Sequence, residues 1–197
     1  FDQLQTEDDI EKIVDPVIIH DEDATARDVA IATEIFDGIL AVEAQGYMPR
    51  FGVWDFIVKL RGAENALLDL RAQPDHMHRI MARLTEAYLS FLDQLEEQGL
   101  LGHFNTATGY AQRVVQTSGA YTDELPAEGS DPLRPRAKDN WTFGMAQILS
   151  EVSPAMHKEF ELDYASKWYS RFGLAYYGCC DPLDTKIDLL RTIPNLR

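Results

Sequence analysis

Apolar side chains recur at steps of three and four along Met77, Ile80, Met81, Leu84, Tyr88, Phe91, Leu92 and Leu95. That is the one-sided stripe of an amphipathic helix, and Pro74 at its start with Gly99 past its end delimits it. Ser153-Pro154 repeats the start signal, with Met156, Phe160, Tyr164 and Trp168 following at fours. The first 34 residues, rich in acids, hold two further helical starts, one after Thr6 and one after Asp23, where Val29, Ala32 and Phe36 are apolar. Strand-like texture appears in GILAVEAQG, in NWTFGMAQILSE and from Phe172 to Gly178. The last of these stops at Cys-Cys-Asp-Pro, so its carboxyl end delivers two thiols to a loop. A short helix spans Leu183 to Leu190, and Asn195-Leu196-Arg197 begins a further strand. The stretch between Gly99 and Asp139 is rich in Gly, Thr, Ser and Pro and has no clear period, and long loops of that kind carry function more often than not.

Strand, helix, strand, helix, strand at this spacing calls for a parallel sheet with right-handed crossovers, an α/β fold. A (β/α)8 barrel takes about 250 residues. At 197 residues the chain can form only part of one, as a single domain over 1–197. It begins at Phe1 without methionine and stops in mid-pattern, so a fragment of a longer protein is expected.

Composition narrows the partners. With 45% hydrophobic residues the chain can bury one substantial core. A net charge of -15 repels phosphate backbones and anionic lipid surfaces, which argues against nucleic-acid and membrane partners. No apolar run approaches the ~20 residues of a membrane span, and the start, FDQLQTEDDIEK, lacks the blocks of a signal peptide. Two adjacent cysteines make no disulfide framework, and a cytoplasmic location follows as the expectation.

WDFIVKLRGAENALLDLRAQPDHMHRIMARLTEAYLSFLDQL, SGAYTDELP, the DNW segment, VSPAMHKEFELDYASKW and LAYYGCCDPLDTKIDLLRTIPNLR occur in that order. In order and spacing they resemble the uroporphyrinogen decarboxylase-like superfamily, over most of the chain. The resemblance implies a (β/α)8 barrel, incomplete here, and either a decarboxylase or a cobalamin-linked methyltransferase that uses zinc to activate a thiol. The arginine-rich segment of the decarboxylases matches nothing in the chain, and the net charge disfavours their polycarboxylate substrate. Methyl transfer involving a methylated small molecule, a corrinoid or a corrinoid protein is therefore the expected activity. A decarboxylase-type lyase and a non-catalytic ligand- or partner-binding fragment are the alternatives. Unpaired sheet edges in the last case would favour a homo-oligomer.

The resemblance also nominates residues. The cysteine of the methyltransferases' His-x-Cys motif falls on Cys179, and its histidine falls on Tyr177. Strand alternation puts Ala175, Tyr177 and Cys179 on one face. A tetrahedral zinc site would then need Cys179 with Cys180, His103, Asp181 or a residue beyond Arg197. The competing reading is an apolar packed cysteine beside an unreactive thiol. Asp139, Trp141, Gln147 and Glu151 lie where the resembling family faces its ligand, and Tyr121 lies in the long loop, which reads as a solvated turn before Pro126 or as a lid over a ligand. His76, His78 and His157 fall on helices and read as surface residues.

Overall fold

A computed structural model describes residues 2–102, 112–115, 118–120 and 122–197. Short polar side chains open its first helices. Asp9 Oδ2 accepts from the Thr6 backbone N–H at 3.0 Å and Asp21 Oδ1 from the Ala24 N–H at 2.8 Å, satisfying donors that a helix start leaves open. These caps begin α1 (Glu7–Glu11) and α2 (Glu22–Ile35). β1 (Arg50–Phe51) follows, then α3 (Val53–Arg61), α4 (Ala63–Ala72) and α5 (Pro74–Glu97). Proline begins α5 as the sequence predicts, and Met77, Ile80, Met81, Leu84, Leu92 and Leu95 of its stripe are buried. No helix among the described residues is long and apolar enough to cross a membrane.

β2 (Gln112–Val115) and β3 (Ser118–Ala120) form an antiparallel pair of their own. The principal sheet also contains β4 (Trp141–Gly144), which is followed by α6 (Pro154–His157), a π-helical turn over Lys158–Leu162, α7 (Asp163–Tyr169) and β5 (Leu174–Tyr177). Its order is β1-β4-β5, all parallel. α8 (Ile187–Leu190) comes next, and Leu196 then bridges to Ala175 in parallel, the start of the further strand expected at the end of the chain.

The (β/α)8 barrel implied by the resemblance is not what this chain builds. About half of the described residues are helical, and the three-stranded parallel sheet does not close. A barrel needs one strand for every helix, whereas α3, α4 and α5 follow one another with no strand between them. GILAVEAQG, read as a strand, forms none. Its Ile39 and Leu40 are 72% and 64% exposed, so no core draws that apolar run into a sheet.

Large rings fill the space between helices and sheet. Trp54 donates its ring N–H to the Phe160 carbonyl at 3.1 Å, and Trp168 donates to Thr142 Oγ1 at 2.8 Å, so two buried indoles keep their hydrogen bonds. The exact fours of Met156, Phe160, Tyr164 and Trp168 have a structural counterpart. Twelve helical residues at ~100° each overshoot three full turns by about 120°, and the wide turn absorbs one residue, about 100° of that excess. The π turn at Lys158–Leu162 thereby keeps Phe160 and Trp168, both fully buried, on the side facing the core.

Candidate functional site

The carboxyl end of β5 gathers most of the chain's unusual chemistry. The strand stops at Tyr177 because Gly178 has φ +113, and a β-carbon there would also lie 2.7 Å from Leu183 Cδ1. Regular alternation ends with it. Tyr177 is 7% exposed and turns inward, while Cys179 and Cys180 are exposed on the following turn. The common face expected for Tyr177 and Cys179 does not form.

Tyr177 meets a set of charged and polar groups from three other segments. Lys186, on the short helical turn after Leu183, donates to the carbonyls of Leu149 and Ser150 at 2.5 and 3.0 Å and to His157 Nδ1 at 3.1 Å. Since Nδ1 accepts, the ring proton sits on Nε2, which donates to Tyr177 Oη at 2.6 Å. Tyr177 in turn donates to Glu161 Oε2 at 3.4 Å. His157 and Glu161 are both 0% exposed. Glu161 Oε1 and the Tyr169 hydroxyl are buried with no hydrogen-bond partner among the described residues. Spaced four apart on one helix, Glu161 and His157 lie side by side.

Burial sets the protonation of the cluster. It raises the Glu161 carboxyl to about 8, against the hydrogen bond from Tyr177 and with the help of nearby Asp181. Burial and the Lys186 cation hold His157 down at about 4. Desolvation lowers the Lys186 ammonium and raises the phenols of Tyr169 and Tyr177. At neutral pH the cluster thus holds a neutral imidazole beside a protonated carboxyl, and such opposed shifts mark proton-handling sites.

The thiols lie against this cluster's edge. Asp181 Oδ1 accepts from the Cys179 backbone N–H at 3.1 Å, and the two sulfurs are 3.6 Å apart. Contact with Cys180, then burial, raises the Cys179 thiol, while the Gln147 amide opposes the rise. Tyr177 is committed to His157 and Glu161, and among the described residues, which do not include His103, no group of three His, Cys, Asp or Glu side chains could hold a metal ion.

Neither the family models, the curated proteins nor the solved structures contain a match to this chain.

The remaining sequence candidates scatter. Gln147, on a short turn after β4, reaches the thiols, and Glu151 is exposed nearby in sequence. Asp139 and Trp141 sit at the opposite, amino end of β4, as the pairing of Trp141 with Leu174 and of Gly144 with Tyr177 requires. Asp139 caps its own turn, accepting from the Arg136 backbone N–H at 2.8 Å and from its guanidinium at 2.9 Å. Burial pushes that carboxyl up, but the Arg136 hydrogen bonds outweigh it and hold it below its ordinary value. Trp141 packs with Leu125 and Leu174. His103 and Tyr121 lie outside the described residues.

Sequence reading missed His157, Glu161 and Lys186. His157 was read as a surface residue and is fully buried; His76 was too, and is buried with Nε2 3.2 Å from the Leu4 carbonyl oxygen. His78 stacks on Phe160 with centroids 4.6 Å apart. The spacing of His157 and Glu161 on one helix was the available signal, whereas a lone lysine in PLDTKIDLL carries none.

Proposed function

We propose that this chain is part of a small-molecule methyltransferase akin to the uroporphyrinogen decarboxylase-like enzymes, acting in the cytoplasm. Its substrates are a methylated small molecule and a corrinoid on a carrier protein, the corrinoid supplying the metal centre that takes up the methyl group. The observation that supports this reading is the buried cluster of His157, Tyr177 and Glu161 at the carboxyl end of a parallel strand. Removing a methyl group from nitrogen or oxygen leaves a basic atom that needs a proton in the transition state. Glu161, raised to about 8, keeps one at neutral pH. Tyr177, buried but for 7% of its surface, turns its hydroxyl from Glu161 Oε2 to the substrate and gives up its proton, which the Glu161 proton replaces. His157 holds the phenol in line. Cys179, its thiol raised by contact with Cys180, acts as contact surface rather than as a nucleophile.

The test is methyl transfer by the full-length protein from a panel of methylamines and methoxyarenes to cob(I)alamin, read by the absorbance of methylcobalamin. Turnover should fall at least about tenfold in Glu161→Gln, the scale of general acid catalysis, and persist in Cys179→Ser. Failure with every donor, or full activity in Glu161→Gln, would rule the reading out. The closure of His157 and Glu161 from solvent favours one alternative, in which the cluster is structural and the chain binds a ligand without transforming it. Failure of methyl transfer with every donor, with a saturable ligand still bound, would select it.

A further inference from the structure

A cavity of about 1040 Å3 opens between the N-terminal segment, α3 and α5. Small-molecule sites typically measure roughly 300–1,000 Å3, so this one has room for a drug-sized ligand. Aromatic rings from Tyr47, Phe56, Tyr88 and Phe91 stand in its walls. Tyr47 meets Phe91 edge-on at 5.4 Å, and Phe56 meets Tyr88 at 6.0 Å. Tyr47 and Phe56 nonetheless remain 53% and 47% exposed, ring surface that a ligand would remove from water. The roof is held from α5: Arg83 Nε donates to the Ile13 carbonyl at 2.9 Å, and Gln94 Nε2 donates to the Pro16 carbonyl at 2.7 Å.

Charge decides what this cavity suits. Asp2 is paired with Arg61, and Asp9 with Lys12 at 2.8 Å. Arg50, Asp55 and Lys59 line the cavity, and no ion pair among the described residues engages them. Asp55 lies in the first turn of α3, where the helix amides already stabilise a carboxylate. Lys59 Nζ stands 5.5 Å over the Phe56 ring. Arg50 and Lys59 thus stand beside these rings without an ion-pair partner, against the single unpaired carboxylate of Asp55, in a chain whose net charge is -15.

We infer that this cavity binds a flat apolar carboxylic acid, its ring system against Tyr47, Phe56, Tyr88 and Phe91 and its carboxylate on Arg50, with Lys59 as the second cation. The guanidinium suits a carboxylate because its parallel N–H groups engage both oxygens. The inference stands apart from the methyl-transfer reading and shares no residue with it.

Calorimetric titration of the 197-residue chain with 2-naphthoate, 2-naphthamide and 2-naphthylmethylammonium tests it, one ring system carrying three charges. Naphthoate should bind at least about tenfold more tightly than the neutral amide, the equivalent of one charge-assisted hydrogen bond. Arg50→Gln, at an exposed position that leaves the core intact, should abolish that preference while amide binding persists. Phe56→Ala should weaken all three. Equal affinities, tightest binding of the ammonium ion, no saturable binding, or a preference that survives in Arg50→Gln would each overturn the inference.

Discussion

Glu161 Oε2 lies 3.7 Å from His157 Nε2, one wide helical turn away, and both side chains are closed to solvent. Burial drives the two in opposite directions, and stability should record it. Glu161, at about 8 when folded, keeps a proton that the unfolded chain loses near pH ~4.3. Its contribution is therefore fully present below the unfolded value and is lost as pH rises to about 8. His157, at about 4, works in the other sense: its contribution is present above ~6.5 and lost as pH falls toward 4. Between pH ~6.5 and ~8 Glu161 alone of the two still changes, by up to about 2 kcal/mol. Urea unfolding at both ends of that window should show this loss in the native chain and not in Glu161→Gln. Equal pH dependence in the two proteins would refute the shift.

Removing the Tyr177 hydroxyl breaks the relay at its centre. Tyr177→Phe leaves the His157 ring N–H without its acceptor at 2.6 Å in a dry site, at a cost of about 1–3 kcal/mol. The midpoint of chemical denaturation should fall accordingly at pH 7. A midpoint within error of the native one would mean that the hydroxyl contributes nothing to the fold.

Gly144 is required by close approach to Tyr169. A β-carbon at Gly144 would lie 1.8 Å from the Tyr169 hydroxyl and 2.7 Å from Cζ. Gly144→Ala should therefore destabilise by roughly 3 kcal/mol or more, the upper range of overpacking. Pairing it with Tyr169→Phe should restore part of the loss, because the nearest atom is then gone. Thermal melts of the single and double variants give the comparison, and a tolerated Gly144→Ala would contradict the geometry.

The paired thiols should be slow toward alkylation despite their exposure. Contact with Cys180 raises the Cys179 thiol, and the thiolate is the reactive form. Cys180→Ala should speed iodoacetamide labelling of Cys179 at pH 8, followed by mass spectrometry. Labelling no faster than in the native chain would show that the contact is without effect.

Several elements follow directly from local pattern. The stripe from Met77 to Leu95, with proline at its start, determined α5, and Thr6 opened α1, whereas α2 begins at Glu22 behind the Asp21 cap, two residues before the start read after Asp23. β4, β5 and the strand start at Leu196 likewise appear where apolar runs end in turns. Such signals are local, so a sequence displays them. GILAVEAQG shows the limit: its apolar residues fit a strand, but nothing packs on them.

Tertiary structure alone decided the closure of the sheet and the site. No local rule states that α3, α4 and α5 succeed each other without a strand, which leaves the sheet open. Nor does local pattern bring Lys186 to His157 across 29 residues, or turn Tyr177 inward while the next cysteine turns out. Burial made His157 and Glu161 unusual, and burial is a property of everything packed around them, which no short stretch of chain contains.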